Sequence, residues 1–423
     1  MLDPEARPAR TLDGLKEALC VLIGSLDRLR EALNLKMTFA LLCCAIGEVL
    51  KAQAPLSPKA EQLALAMFDG KIAGDKLDCD AKPGRVFFDF AFRFELSYVV
   101  TCPYSQFKGE LDHFAAVTRV RSLNEGKFVI LGDSYQVPAL PASIRTKPDS
   151  RRFRGRLEFS GAIGVGEGEY TIELLVVDEH RRFYRKNWKV RTRRRGGEKK
   201  AEVSLLPNQV APLMFTGLNH GAPDELKPLR LTVLLDAAPV YPFANKLRAR
   251  DRAFLLGALT SLMRQIPNAS VRLVAFNTAQ RKEIFQSDVL DEKGLLDLAD
   301  ALRQLELGTV GYKALQQKKG GAGLLNRLLT EEQKGDRRAD AVLFLGPRIR
   351  EDESISRESL SCSVLSGPRL FYLAYIAFPS IQYPDTIERL TGDCKGRVLK
   401  FYSAGSFATA IEKVRTSMLN ERN

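Results

Sequence analysis

An aspartate at the end of an apolar run is the residue best placed to do chemistry in this chain. In LRLTVLLDAAPV, Asp236 closes a stretch of strand-forming residues and is followed by Ala237, Ala238, Pro239 and Val240. A carboxylate in that position can ligate a divalent cation, or accept backbone N–H groups where the next helix begins. The sequence leaves both readings open. Its own loop supplies no hydroxyl. Glu351 or Asp352 could add a carboxylate. Magnesium requires near-octahedral oxygen coordination, so an oxygen set this sparse predicts no metal and no cofactor. Catalysis has no constellation to rest on. His113, His180 and His220 stand in unrelated contexts, and HExxH, paired CxxC, GxSxG and Walker A patterns are absent. A non-enzyme is expected.

A second chemistry-bearing stretch is basic. Residues 181–200 include Arg181, Arg182, Arg185, Lys186, Arg193, Arg194 and Arg195 against the single acid Glu198. These cations could track phosphates, with Phe183, Tyr184 and Trp188 available to stack on bases. They could equally be the solvated edge of a late strand, since charge on an edge discourages strand-on-strand association. The whole chain carries 64 Lys plus Arg against 51 Asp plus Glu, a net +13, which suits an acidic partner but says little about fold. The glycines at 161, 164, 166 and 168 run from one strand into another without opening a helix, so they predict a turn or bulge and not a phosphate cradle.

The elements that must position these residues begin after an ambiguous N-terminus. Residues 37–54 form a short apolar run closing on Lys-Ala-Gln-Ala, which resembles a secretory signal with its cleavage point after Ala54. Leu12, Leu15, Leu19, Leu22, Leu26, Leu29 and Leu33 make a helical seam upstream of it. Either residues 1–36 are a misassigned extension, or the protein is cytoplasmic and they form a partner helix; export to the periplasm or beyond is the favoured expectation. No transmembrane segment is predicted. Export leaves Cys79, Cys102, Cys362 and Cys394, of which Cys362 and Cys394 are expected to pair.

Residues 55–82 read as an irregular lead-in with a short helix at 59–68. Beyond Pro83-Gly84, large apolar residues alternate with polar ones from Phe88 to Tyr98, the period-two mark of a strand with one buried face. Further strands at 115–120, 127–131, 156–159, 170–177 and 188–191 predict a β-sandwich-like domain over 83–198. A Pro- and Gly-rich linker spans 199–228. From 229 to 423, strands at 230–235, 271–276, 282–285, 340–345, 370–377 and 397–402 alternate with helical stretches. That order predicts an α/β domain with a doubly wound, mostly parallel sheet, whose ligand side lies beyond the carboxyl ends of the strands.

The succession of strand, loop and helix around Asp236 resembles a von Willebrand factor type A domain. The resemblance implies a Rossmann-like sheet and a Mg²⁺ site built on Asp-x-Ser-x-Ser, a threonine and a later aspartate. Asp236 and Thr309 match two of those positions, while Ala238, Val240 and Gly346 occupy the others, so the implied site is degenerate. FAFRFELSYVV, GVGEGEYTIELLVVDEHRRFYRKNWKV, LTVLLDAAPV, LELGTVGYKALQ and VLFLGPR are similar to exported type A-related bacterial proteins of unknown function, as found in Acidobacteria. The expectation is a metal-independent binding or assembly protein that meets a protein partner through loops carrying Asp236, Tyr241, Thr309, Tyr312 and Arg348, with an anionic envelope surface as another acidic partner. The alternative is a basic intracellular nucleic-acid-binding protein using residues 181–200.

Overall fold

The chain divides into Met1–Val49 and Leu50–Asn423. The computed structural model describes residues 50–107, 113–137, 155–213, 229–241, 244, 246–266, 269–307, 320–332, 339–348, 369–379 and 385–419, all in the second unit. The leucine seam, most of the signal-like run, Thr309, Tyr312, Glu351, Asp352 and Cys362 lie outside the described residues.

Two sheets form the first half. The strands in chain order are β1 (Leu50–Ala52), β2 (Ala54–Pro55), β3 (Asp80–Pro83), β4 (Phe87–Phe88), β5 (Phe94–Pro103), β6 (His113–Ser122), β7 (Phe128–Gln136), β8 (Arg156–Val165), β9 (Gly168–Asp178), β10 (Phe183–Thr192) and β11 (Val210–Pro212). One sheet runs β1-β8-β5-β3, with β4 on β5 and β11 on β8; the other runs β10-β9-β6-β7-β2. Alternating residues of β5 and β8 meet those of β6 and β9 in a shared core that includes Tyr98, Val100, Phe114, Phe159, Leu174 and Val176. Helix α1 (Pro58–Phe68) starts on a Ser57 cap and lays Ala64 and Met67 over the outer face of the second sheet, against Val117, Ile130 and Leu175.

Residues 50–54 correct the expectation of a leader that ends in a cleavage site. Leu50–Ala52 pairs parallel to β8, and Ala54–Pro55 pairs with β7, so the segment crosses from one sheet to the other. Gln53 lies at the crossing, 0% exposed, and its Nε2 donates to Tyr98 Oη at 2.7 Å and to the Ala116 carbonyl at 3.0 Å. An amide buried between two sheets needs such partners, and here one comes from each sheet.

The second half contains β12 (Leu229–Asp236), β13 (Ala269–Asn277), β14 (Lys282–Ser287), β15 (Ala341–Pro347), β16 (Arg369–Tyr375) and β17 (Arg397–Phe401) in the order β14-β13-β12-β15-β16-β17. Its helices are α2 (Ala249–Gln265), α3 (Glu292–Gln304), α4 (Gly320–Glu331), α5 (Thr386–Asp393) and α6 (Ala404–Leu419). These sheets correct the expected fold class. The described chain is β-rich and built on three sheets, and the third is mixed: β14 runs antiparallel to β13, while β12, β13, β15, β16 and β17 pair in parallel. The cause is local. Gln280 N–H donates to Asn277 Oδ1 and Arg281 N–H to the Thr278 carbonyl, closing a turn too short for a parallel crossover. The doubly wound parallel sheet of the type A kind, and the degenerate metal motif attached to it, are therefore set aside. Among the described residues no helix is long and apolar enough to cross a membrane.

A hairpin tip joins the two halves. Between β4 and β5, Asp89 Oδ1 accepts from Ala91 N–H at 2.9 Å and Arg93 N–H at 3.2 Å, and Phe92 takes a left-handed φ of 58°. The tight turn projects Phe90 into an aromatic nest of Phe254, Tyr375, Phe401 and Phe407, at centroid distances of 5.0, 5.1, 5.7 and 5.9 Å. Arg93 secures the base, pairing with Asp89 and donating to the Pro212 and Leu213 carbonyls. Nearby, α6 approaches the 3-10 turn Gly196–Lys200 so closely that a Cβ on Gly405 would stand 2.7 Å from Glu198 N.

Two tests follow from this junction. Phe90→Ala empties the nest and is expected to lower the unfolding free energy by about 3 kcal/mol, read by chemical denaturation. Burial first, then the charge of Asp89, raises the Glu95 carboxyl to about 7 from its ordinary 4.5. Its contribution to stability is complete below pH 4.5 and lost as pH rises through 7, so Glu95→Gln should flatten the pH dependence of stability over that window.

Candidate functional site

The carboxyl ends of the parallel strands in the third sheet bring together Asp236, Tyr241 and Arg348 of the site residues read from the sequence. β12 is central, flanked by β13 and β15, and its six residues from Leu231 to Asp236 are buried. Asp236 itself is 0% exposed, and among the described residues neither carboxylate oxygen has a hydrogen-bond partner. Burial, and next the charge of Asp385, hold its pKa well above the ordinary 3.8. Ala237 and Ala238 are buried beside it, and Gly346 of β15 lies so close that a Cβ there would be 2.8 Å from the Asp236 Cβ. Any side chain at 346 would displace the aspartate.

The surrounding polar groups are committed elsewhere. Asn277, at the end of β13, donates to the Ala237 carbonyl at 2.8 Å. Asp385 caps α5 by accepting from Glu388 N–H at 2.8 Å, and it accepts from Tyr372 Oη at 3.1 Å. Glu388 bridges Arg348 at 3.0 Å and Lys400 at 2.5 Å. Among the described residues no group of three or more His, Cys, Asp or Glu could hold a metal. The described residues thus offer no set of several oxygen ligands of the kind a divalent cation needs at once.

Of the partner-facing residues expected at this rim, Asp236 is buried, Arg348 is largely covered and tied to Glu388, and Tyr241 is 42% exposed. Tyr241 is part of a cluster the sequence reading missed: its ring meets Phe378 edge-on at 5.2 Å, and the Arg248 guanidinium sits 5.5 Å over it. Asp251 fixes the loop to the start of α2, accepting from Val240 N–H at 3.1 Å and Arg248 N–H at 2.8 Å. The Arg248…Asp251 spacing at a helix start was the available signal. Asp385-Thr-Ile-Glu388 is a second capping pattern that the sequence showed and the reading passed over.

The basic stretch is partly consumed by the fold. Arg182 pairs with Asp178 at 2.6 Å, Arg185 donates to the Met67 carbonyl, and Arg194 pairs with Glu167 at 2.9 Å. Arg181 occupies a turn with φ 60°. Lys186, Arg193 and Arg195 are exposed, and Arg195 lines a cleft of about 620 Å³ with Lys400, Lys413 and Ser403. Cys394 is disulfide-bonded, while its expected partner Cys362 lies outside the described residues. A bridge not foreseen, Cys79–Cys102, ties the lead-in to β5.

No protein-family model and no curated protein matches the sequence. Among solved structures, a putative ApaA protein from Bordetella pertussis aligns at 9% identity and a TM-score of 0.20, over 29% of this chain and 100% of that one. A glycosyl hydrolase family 2 member from Bacteroides cellulosilyticus aligns at 11% identity and a TM-score of 0.18, over 74% of this chain and 37% of that one. Likenesses this slight carry no argument about fold or activity.

The buried acid makes its own prediction. Because folding raises the Asp236 pKa, its contribution to stability is present below pH 3.8 and is lost as pH rises toward its folded value. Asp236→Asn should therefore stabilise the protein at pH 7 by about 1–2 kcal/mol and leave it unchanged at pH 3, measured by denaturant titration at both pH values.

Proposed function

We propose that this chain is an exported, non-enzymatic binding or assembly protein that meets a protein partner at the rim of its third sheet without a metal. The observation that carries this reading is the Tyr241–Phe378–Arg248 cluster, an exposed aromatic and guanidinium group held by Asp251 above a closed, apolar strand end. Tyrosine and arginine dominate the energetics of protein interfaces because each combines a large apolar body with a polar end. Location outside the cytoplasm is supported by the Cys79–Cys102 bridge and the oxidised Cys394, since disulfides persist where glutathione does not reduce them. Nucleic-acid binding is the weaker reading, because Arg182, Arg185 and Arg194 are spent on intramolecular partners.

Photocrosslinking in the native host tests the proposal. Tyr241→p-benzoylphenylalanine is expected to give one discrete protein adduct, insensitive to EDTA, while the same label at Leu206, 61% exposed and remote in sequence, gives none. Thiol labelling of the same sample should leave Cys79, Cys102 and Cys394 unmodified until reductant is added. Absence of an adduct at 241, or its loss on chelation, would sink the reading.

A further inference from the structure

β10 ends its sheet. It pairs with β9 through ten consecutive residues, Phe183↔Val177 to Thr192↔Gly168, without a register shift. At its start, Phe183 N–H donates to the Asp75 carbonyl at 2.9 Å and the Phe183 carbonyl accepts from Leu77 N–H at 3.0 Å. Those two bonds show which residues face outward. With a strand period of two, Arg185, Asn187, Lys189 and Arg191 also turn their N–H and C=O groups away from β9. Among the described residues none of these backbone groups has a hydrogen-bond partner. The short bridge between Lys76 and Phe183 is thus the first step of a ladder that no other described residue continues.

The side chains along this ladder select what could continue it. Lys186, Lys189, Arg191 and Arg193 are exposed; Arg191 reaches Glu169 at 3.4 Å, and the other three form no ion pair among the described residues. A second copy of this strand would bring like charges face to face, which is how edges are protected from self-association. An acidic strand meets the opposite situation, with backbone bonds and charge acting together. We propose that the open edge of β10 takes up an extended acidic peptide as an added strand, antiparallel or parallel, with its carboxylates against Lys189, Arg191 and Arg193, which share one face of the strand. This surface is separate from the rim proposed above, and neither depends on the other.

The sole tryptophan, Trp188, lies within β10 and is partly buried against Tyr98, so its emission reports on the strand directly. A ten-residue peptide alternating threonine and glutamate is titrated into the intact protein and followed by Trp188 fluorescence and peptide anisotropy. An equally charged peptide alternating proline and glutamate, which cannot donate to a ladder, serves as comparison. The Thr–Glu peptide is expected to bind at least about tenfold tighter than the Pro–Glu peptide, with affinity falling as salt rises. Lys189→Pro should abolish that preference by removing one outward N–H, and the double variant Lys189→Thr, Arg191→Thr, which keeps the backbone intact, should weaken both peptides. Equal affinity for the two peptides, or tighter binding of a single-stranded oligonucleotide of matched charge, overturns the proposal in favour of plain electrostatic attraction.

Discussion

Phe90 holds two differently built halves together. The ring is received by one residue from each of β16, β17, α2 and α6 or its approach, so the hairpin tip touches every layer of the third sheet that faces it. That insertion needs room. Gly257 of α2 supplies it, since a Cβ there would stand 3.1 Å from Ala91 N, and Gly405 supplies it again where α6 meets the 3-10 turn. The result is one continuous core running from Phe94 and Ile172 to Leu343 and Ile411, in place of two cores joined by a tether. Relative motion of the halves would open this core and expose Asp89 and Arg93, whose pairing is worth most while water is kept out.

Asp236 shows the same closure carried to a cost. A carboxyl at the end of a central strand is ordinarily solvated or ligated; here Gly346 allows β15 to pack against it, and Ala237 and Ala238 cover it. Protonation is the response that burial favours, because the neutral form loses far less on leaving water. The nearby Asp385, by contrast, has hydrogen-bond partners in the α5 N-terminus and the Tyr372 hydroxyl. Asp236 is closed off, and Tyr241 and Arg248 are the exposed side chains beside it on this rim.

How much of this was legible depended on whether the decisive contacts were local. Strand-forming apolar patterns located β9 and β12 well, because burial of one or both faces is written into neighbouring residues. Period-two alternation misled at Phe88, Phe90, Phe92 and Phe94, which read as one strand but contain a turn. Asp89 caps the turn from inside, and Phe90 finds its partners more than 160 residues away in sequence. Lys-Ala-Gln-Ala looked like a processing site for an equivalent reason: the hydrogen bonds that occupy Gln53 come from Tyr98 and Ala116, invisible at short range. The antiparallel entry of β14 could have been read, since the gap between the strands ending near 276 and starting near 282 is too short for a crossover. Tyr241 and Arg248 were separable from ordinary loop residues only through Asp251, whose capping role is local but whose consequence is not.

The Cys79–Cys102 bridge connects the chemistry of the compartment to the open edge. Cys102 belongs to β5 in one sheet, while the segment just before Cys79 sends Leu77 N–H to Phe183 in the other. Leu77 is fully buried, so the residues that cap the first rung of β10 are held by a covalent staple on one side and by packing on the next. A disulfide acts chiefly by restricting the unfolded chain, and here its two cysteines also hold neighbouring strands side by side. Reduction would therefore leave most of the fold in place and loosen residues 75–79 first, freeing the Phe183 N–H and carbonyl and lengthening the unpaired edge by one residue pair. The oxidised bridge lies next to the point where the ladder of the described residues stops, which is where the proposed strand would have to start.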